Sequence, residues 1–266
     1  MSVAVLARAT VVARSAPMEG AVELVVLDPA AANIAQPGQF FQIGVEAPHT
    51  LLPRPYSVAA IDPDRGRLGF LFSVVGAGSA WLSSLEPGDR VRLIGPLGRG
   101  FTPSPGTAPI CVGGGLGIAP LVALSAWLVA AGRRPVVLQG AREAARLLPA
   151  DRFPGARILT ATDDSSAGWP GSVVGLLETV AAREQEWFVC GPTPMLQAVI
   201  GLADALGLPR QRIQIALETP MGCGVGTCLG CVTPAAAGGY LLACQDGPCV
   251  RADRVDWSRV EDAFHG

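Results

Sequence analysis

Over residues 1–104 the apolar positions fall in short, partly alternating runs that turn residues interrupt. Runs at 21–27, 39–45, 56–60, 68–74 and 90–94 read as strands. The breaks between them include Gln36-Pro37-Gly38-Gln39, Asp62-Pro63-Asp64-Arg65-Gly66 and Glu86-Pro87-Gly88-Asp89, all built from residues that favour tight turns. Strands at such spacing predict a small antiparallel barrel. One helix is expected to interrupt it, from Ser79 to Leu85, opened by Gly76-Ala77-Gly78.

From residue 105 the pattern changes to strand alternating with helix. Strands are predicted at 108–112, 135–139, 157–161, 187–190 and 213–217, the last of the chain. Helices are predicted from the glycine turn at 113–117 to Ala131, and at 143–148, 172–182 and 194–206. That alternation predicts a parallel sheet covered on both faces. The expected organisation is multidomain, α/β plus β. It comprises an antiparallel barrel at 1–104, a parallel-sheet α/β domain at 105–213 and a small C-terminal domain at 214–266. Ala235-Ala236-Ala237-Gly238-Gly239 reads as a hairpin loop in the third region, and the tail at 255–266 is expected either to pack on the body or to stay loose.

Composition narrows the partners. With 50% hydrophobic and 16% charged residues the chain can bury a sizeable core, and 266 residues suffice for two or three small domains. A net charge of −2 with no basic run argues against nucleic acid and anionic membrane. The two histidines, His49 and His265, stand outside any motif, which argues against histidine acid–base or metal chemistry. Residues 1–10 do not read as a signal peptide, because Arg8 and then Arg14 break the apolar run. Residues 108–132 carry no charge over 25 positions, yet Pro109, Gly113, Gly114, Gly115, Gly117 and Pro120 make them strand, turn and buried helix rather than a membrane span. Reduced cysteines without an export signal lead to an expectation of the cytoplasm.

Five of the seven cysteines lie within 218–249. Cys223, Cys228 and Cys231 are spaced C-x4-C-x2-C, and Cys244 follows after twelve residues, the plant-type spacing for a [2Fe–2S] cluster. Gly222, Gly224, Gly226 and Gly230 alternate with them, so the backbone can fold tightly and aim N–H groups at negative charge. Structural zinc, disulfides and inert buried thiols are the competing readings. Zinc sites usually pair two short knuckles, and only one short pair is present. An odd cysteine count disfavours a disulfide framework. Cys249 remains an alternative to Cys244 as fourth ligand.

Four further stretches carry candidate chemistry, each beside a plainer reading. In Arg54-Pro55-Tyr56-Ser57 the guanidinium suits a pyrophosphate, the ring suits a flavin or its ribityl chain, and the hydroxyl suits a ring nitrogen; a turn entering a strand is the alternative. Gly78-Ser79 opens a helix, where free N–H groups suit phosphate or simply take a serine cap. Gly113-Gly114-Gly115-Leu116-Gly117-Ile118-Ala119-Pro120 joins strand to helix as dinucleotide sites do, although the pattern is not G-x-G-x-x-G; tight helix–strand packing alone would also need the glycines. Cys190-Gly191-Pro192 ends a strand, where α/β sheets bind ligands, but a lone cysteine there is often simply buried.

In their order and spacing these four stretches resemble the ferredoxin–NADP reductase superfamily. Met221-Gly222-Cys223-Gly224-Val225-Gly226-Thr227-Cys228, with Cys231 and Cys244-Gln245-Asp246-Gly247-Pro248, narrows the resemblance to the electron-transfer subunits of dihydroorotate dehydrogenase B, over nearly the whole chain. The resemblance implies an FAD-binding barrel, an NAD-binding α/β domain and a [2Fe–2S] C-terminal domain. It implies Arg54 on FAD phosphate, Tyr56 against the ribityl chain or ring and Ser57 near flavin N5, with Pro55 also in the cofactor site. Leu71, Phe72 and Ser73 would line the flavin through their backbone, and Gly78 and Ser79 would take the pyrophosphate. Gly113, Gly114, Gly115 and Gly117, with Cys190, Gly191 and Pro192, would receive NAD, Ser57 and Cys190 being the catalytic candidates. Cys223, Cys228, Cys231 and Cys244 match the cluster ligands. The implied partner is an FMN-containing subunit that oxidises dihydroorotate to orotate in pyrimidine biosynthesis, in a hetero-oligomer. Its electrons would leave singly through the cluster to FAD, which would pass a hydride to NAD.

Two departures stand out. Phe72-Ser73 replaces an arginine frequent in relatives, leaving phosphate to Arg54, and Cys249 stands where relatives often have an aliphatic residue. Small subunits of ferredoxin:NADP, sulfide dehydrogenase or hydrogenase-type oxidoreductases look similar, though such relatives often use an aspartate ligand where every position here is cysteine. Arg142 and Arg146 would either reach a 2′-phosphate or form a solvated helix face, the latter being the favoured expectation. A zinc-bound interaction module on an inactive reductase body is the reading from another class.

Overall fold

The structure, a computed structural model, describes residues 5–260; residues 1–4 and 261–266, including His265, lie outside the described residues. Six strands close an antiparallel barrel in the order β1-β2-β5-β4-β3-β6. They are β1 (Val5–Ser15), β2 (Val22–Leu27), β3 (Phe40–Ile43), β4 (Arg54–Asp62), β5 (Arg67–Phe72) and β6 (Arg90–Leu97). Side-chain alternation sorts the two faces of each strand. On β3, Phe41 and Ile43 enter the barrel core with Leu24, Phe70 and Leu93. Phe40 faces the other way and joins Leu97 in the core of the neighbouring sheet.

Two helices, not the single one expected, interrupt the barrel: α1 (Pro29–Ile34) and α2 (Ala77–Ser83). Asp28 caps α1 by accepting from the Ala31 N–H at 3.0 Å, and Pro29 supplies a φ already suited to a first helical turn.

The second sheet runs β10-β9-β8-β7-β11-β12-β15. Its members are β7 (Ala108–Gly114), β8 (Val136–Ala141), β9 (Arg157–Thr162), β10 (Trp169–Pro170), β11 (Gln185–Cys190) and β12 (Ile213–Ala216), all parallel, and the antiparallel edge strand β15 (Cys249–Arg251). Helices α3 (Ala119–Ala130), α4 (Val173–Val180) and α5 (Thr193–Leu206) cover it. The uncharged stretch at 108–132 is β7, a turn and α3, and no helix among the described residues is long and apolar enough to cross a membrane. The helix predicted at 143–148 is replaced by a single 3-10 turn, Ala144–Arg146. The segment is only six residues long, and Pro149, which follows directly, biases the residue before it away from the helical region.

The strand at 213–217 is not the last. After it come the hairpin β13 (Val232–Pro234) and β14 (Tyr240–Leu242), with residues 235–239 as its loop. Helix α6 (Ala243–Asp246) and β15 (Cys249–Arg251) follow. Strand β15 pairs antiparallel with β12, Ala216 opposite Cys249, so the cysteine-rich segment is joined by hydrogen bonds to the α/β sheet. Of the tail, Val255 and Trp257 are buried against the body.

Polar ties hold barrel and sheet together. Glu23 of β2 pairs with Arg152 beyond β8. Glu186 of β11 accepts from the Ser104 N–H at 2.8 Å, the Thr107 hydroxyl at 2.9 Å and the Gln214 amide at 3.0 Å, anchoring the segment between barrel and sheet.

Candidate functional site

Strand β7 lies between β8 and β11, so the chain order reverses on either side of it. Parallel sheets bind ligands at such a switch point, beyond the carboxyl ends of the strands. Two cavities open there. The first, about 470 Å3, lies between barrel and sheet. Arg54, Pro55, Tyr56 and Ser57 of β4, with Leu71, Phe72 and Ser73 of β5, form its barrel wall. Leu116, Cys190 and the strap from Leu217 to Met221 also line it, as does Phe40 of β3. Seven predicted flavin-site residues and one predicted nicotinamide-site residue therefore share one cleft.

Phosphate chemistry is placed at one end of that wall. The Arg54 guanidinium donates to the Leu52 carbonyl at 2.7 Å and lies against the start of α2, where Gly78 is buried. The Ser79 hydroxyl accepts from the N–H groups of Val75 at 2.9 Å and Gly76 at 3.1 Å and donates to the Gly76 carbonyl. Its role is to shape the turn, while the N–H groups of the first helical turn lack intrahelical acceptors. Arginine, glycine cradle and helix start together fit a pyrophosphate. The Tyr56 and Phe72 rings stack with centroids 4.8 Å apart, which gives the side chain at the departing position 72 a packing role. Burial pushes the Tyr56 phenol up to about 12, opposed by the nearby Arg54 charge.

The glycine turn follows β7, and Gly113 sits level with Cys190 on β11. A side chain at Gly117 would come within 2.4 Å of the Cys190 carbonyl, and one at Gly114 within 2.5 Å of Met195 sulfur. A side chain at Gly191 would come within 2.7 Å of Met195 and 3.2 Å of the Gly114 nitrogen. The turn and the Cys190-Gly191-Pro192 loop thus interlock. They border a second cavity of about 590 Å3, lined by Gly114, Gly115, Arg142, Arg146, Ser172 and Pro192 among others. No helical face exists for the two arginines. Arg142 is exposed, and Arg146 is held by Glu143 at 3.0 Å and Glu19 at 3.8 Å.

Cys190 is buried, and its thiol donates to Glu218 at 3.7 Å. Burial first, and then the Glu218 charge, push the thiol well above its ordinary value. Glu218 is a cleft residue that motif reading missed. Its signal was available: an acid directly after an apolar strand run sits at the carboxyl end of a sheet strand.

Four cysteines form two pairs. Cys223 and Cys228 lie together near the surface, and Cys231 and Cys244 together in the interior. Amide N–H groups of Val225, Gly230 and Cys244 point at the sulfurs of Cys223, Cys228 and Cys231, each at 3.4 Å. Hydrogen bonds from the Thr227 hydroxyl and the Val225 amide pull the Cys223 thiol down to about 5. Burial, then Cys231, pushes Cys244 up to about 12, a cost that a bound metal cation would relieve. Among the described residues no three His, Cys, Asp or Glu side chains gather to hold a single ion. Two pairs suit two irons, two ligands each, better than one tetrahedral zinc. Cys249 lies elsewhere, on β15, donating to the Gly38 carbonyl at 3.5 Å, so Cys244 and not Cys249 stands beside Cys231.

The barrel reaches this loop through Gln42, whose amide lies against Gly222 and Gly224. Nothing in the sequence marked that residue.

Comparison with known proteins matches two regions of the chain to described domains. Residues 218–256 match the iron-sulfur cluster binding domain of dihydroorotate dehydrogenase B, and residues 10–101 match an oxidoreductase FAD-binding domain. The dihydroorotate dehydrogenase B (NAD(+)) electron transfer subunit of Geobacillus thermodenitrificans is 38% identical over 93% of this chain and 97% of its own. That of Desulforamulus reducens is 37% identical over 86% and 90%. Among solved structures, the NADH-dependent reduced ferredoxin-NADP oxidoreductase superposes with a TM-score of 0.83 at 28% identity, covering 95% of this chain and 91% of that one. A ferredoxin reductase of carbazole 1,9a-dioxygenase, at 24% identity and a TM-score of 0.71 over 81% of this chain and 70% of its own, shares the fold.

Proposed function

Because the chain belongs to the family of NAD+-linked dihydroorotate dehydrogenase B electron-transfer subunits, we infer that its cleft is where electrons from a dihydroorotate-oxidising partner are handed to NAD+. The observation that carries this reading is convergence. The barrel wall, the ends of the α/β strands and the strap leading into the four cysteines meet at one cavity. When bound, the [2Fe–2S] cluster supplies one-electron transfer, FAD the exchange between single electrons and a hydride, and NAD+ the hydride acceptor.

The chain's own residues bind and orient. Arg54 and the start of α2 hold the FAD pyrophosphate, and Tyr56, stacked on Phe72, stays protonated as a wall residue and donor. Ser57 and the backbone of Leu71, Phe72 and Ser73 border the ring. Cys190 and Glu218 stand on the sheet side, from which a dinucleotide held by Gly113, Gly114, Gly115, Gly117, Gly191 and Pro192 approaches. The thiol stays protonated and keeps the carboxylate oriented. Cys223, Cys228, Cys231 and Cys244 hold the cluster. The titratable groups lining the cleft are Arg54, Tyr56, Cys190 and Glu218, with neither a histidine nor a carboxylate pair. Breaking the C–H bonds of dihydroorotate therefore belongs to the FMN-bearing partner. The three regions 1–104, 105–213 and 214–266 divide as FAD, NAD and cluster domains, and the complex works in the cytoplasm in pyrimidine biosynthesis.

Anaerobic affinity purification of the chain from its own cells tests this. Recovery of an FMN-bearing partner together with a flavin that NADH bleaches is the expected result. A flavoprotein that NADH reduces but that brings down no such partner would move the function to another electron-transfer complex.

A further inference from the structure

Gln42 is fully buried on β3, yet its Oε1 has no hydrogen-bond partner. Its Nε2 makes a long contact, 3.5 Å, with the Gly222 carbonyl. The same amide occupies the space that a side chain at Gly224 would take, 2.9 Å from the Cβ position. Gly222 and Gly224 flank Cys223. Two residues earlier on the same strand face, Phe40 lines the flavin cleft. One face of one short strand thus touches the flavin cavity with Phe40 and the cysteine loop with Gln42.

A buried polar atom left unpaired costs stability, and an apolar side chain of equal size would avoid that cost. A carboxamide kept at such a position calls for a reason other than packing. The positive, N–H end of its dipole lies at the loop, where a bound cluster would carry negative charge.

We propose that Gln42 is a positioning residue for the cluster. It fixes the 222–224 loop against the strand that borders the flavin, and it turns the positive end of its amide toward the metal site. This rests on the proposed cluster ligands, and the test separates the two ideas. Wild-type iron content and cluster signal report on the ligands; the Gln42 variants report on the positioning.

The experiment uses the full chain in complex with its partner, carrying Gln42→Met, which keeps the volume and removes both polar atoms, or Gln42→Asn, which keeps the amide but shortens its reach. FAD and iron content are measured first. The cluster's midpoint potential is then read by a redox titration followed by electron paramagnetic resonance. Finally, anaerobic NADH is mixed in, delivering two electrons as a hydride, and flavin bleaching and cluster reduction are timed separately. Both variants should retain FAD and iron and bleach at the wild-type rate. Their cluster potential should be lower, and cluster reduction should slow by about tenfold, as for loss of an outer-shell partner. Gln42→Met should be at least as heat-stable as wild type. Unchanged potential and cluster-reduction rate in both variants would overturn the proposal. So would a parallel loss of FAD and iron, which would make Gln42 a packing residue only.

Discussion

The Arg54 guanidinium lies across Gly78: a methyl group at residue 78 would meet its atoms at 2.6 to 2.8 Å. In the proposed FAD site a strand residue and a helix residue 24 positions apart in sequence would share one phosphate seat, and any side chain at 78 would displace the guanidinium.

Gly78→Ala should push the guanidinium off the seat. FAD affinity should fall by about tenfold, roughly 1.4 kcal/mol, without loss of the barrel fold. Flavin fluorescence titration of the apoprotein, with circular dichroism as the fold control, measures this. Unaltered affinity would place the pyrophosphate elsewhere.

The paired cysteines make a selective prediction. Cys228→Ser and Cys244→Ser should each lose iron and cluster absorbance while keeping FAD. Cys249→Ala should keep both, because its thiol bonds the Gly38 carbonyl on another element. Iron assay and visible spectra decide, and iron loss in Cys249→Ala would reopen the ligand assignment.

Glu218→Gln should leave FAD bound and slow flavin reduction by NADH by about tenfold or more, through misplacement of the nicotinamide. Stopped-flow bleaching measures it. Burial raises the Cys190 thiol above its ordinary value of 9.0, so the protonated form persists at every pH below that value. The pH profile of flavin reduction should accordingly show no thiol ionisation below pH 9.

Arg152→Ala should leave Glu23, which is buried, without its charge partner, at a cost of about 3 kcal/mol. Replacing both residues by apolar ones of similar size should cost much less. Urea denaturation of the FAD-loaded protein compares the two.

The candidate site was legible where backbone comes close to neighbouring groups, because close approach favours glycine and leaves a pattern. The turn at 113–117, Gly78 and the glycines between the cysteines are such places. A side chain that acts by reach from outside any motif leaves no comparable mark. Gln42 reads as an ordinary polar position in a strand, and its contact partners lie 180 residues away.

Elements were legible in proportion to their own burial. Strand β15 is three residues long and owes its conformation to pairing with β12, which local pattern does not register. The expected helix at 143–148 had helix-forming alanines but only six residues before Pro149, so a single turn was all that formed. Helix α1 did carry a signal, Asp28 followed by Pro29, but only six residues of helix follow it.

The most direct test is NADH formation, followed at 340 nm, when the complex with the catalytic partner is given dihydroorotate and NAD+ without oxygen. The wild-type complex should form NADH, and the complex carrying Cys228→Ser should not, although its own flavin is still bleached by NADH. Full dihydroorotate-dependent NADH formation by that variant, or none by the wild type with both subunits loaded, would contradict the account.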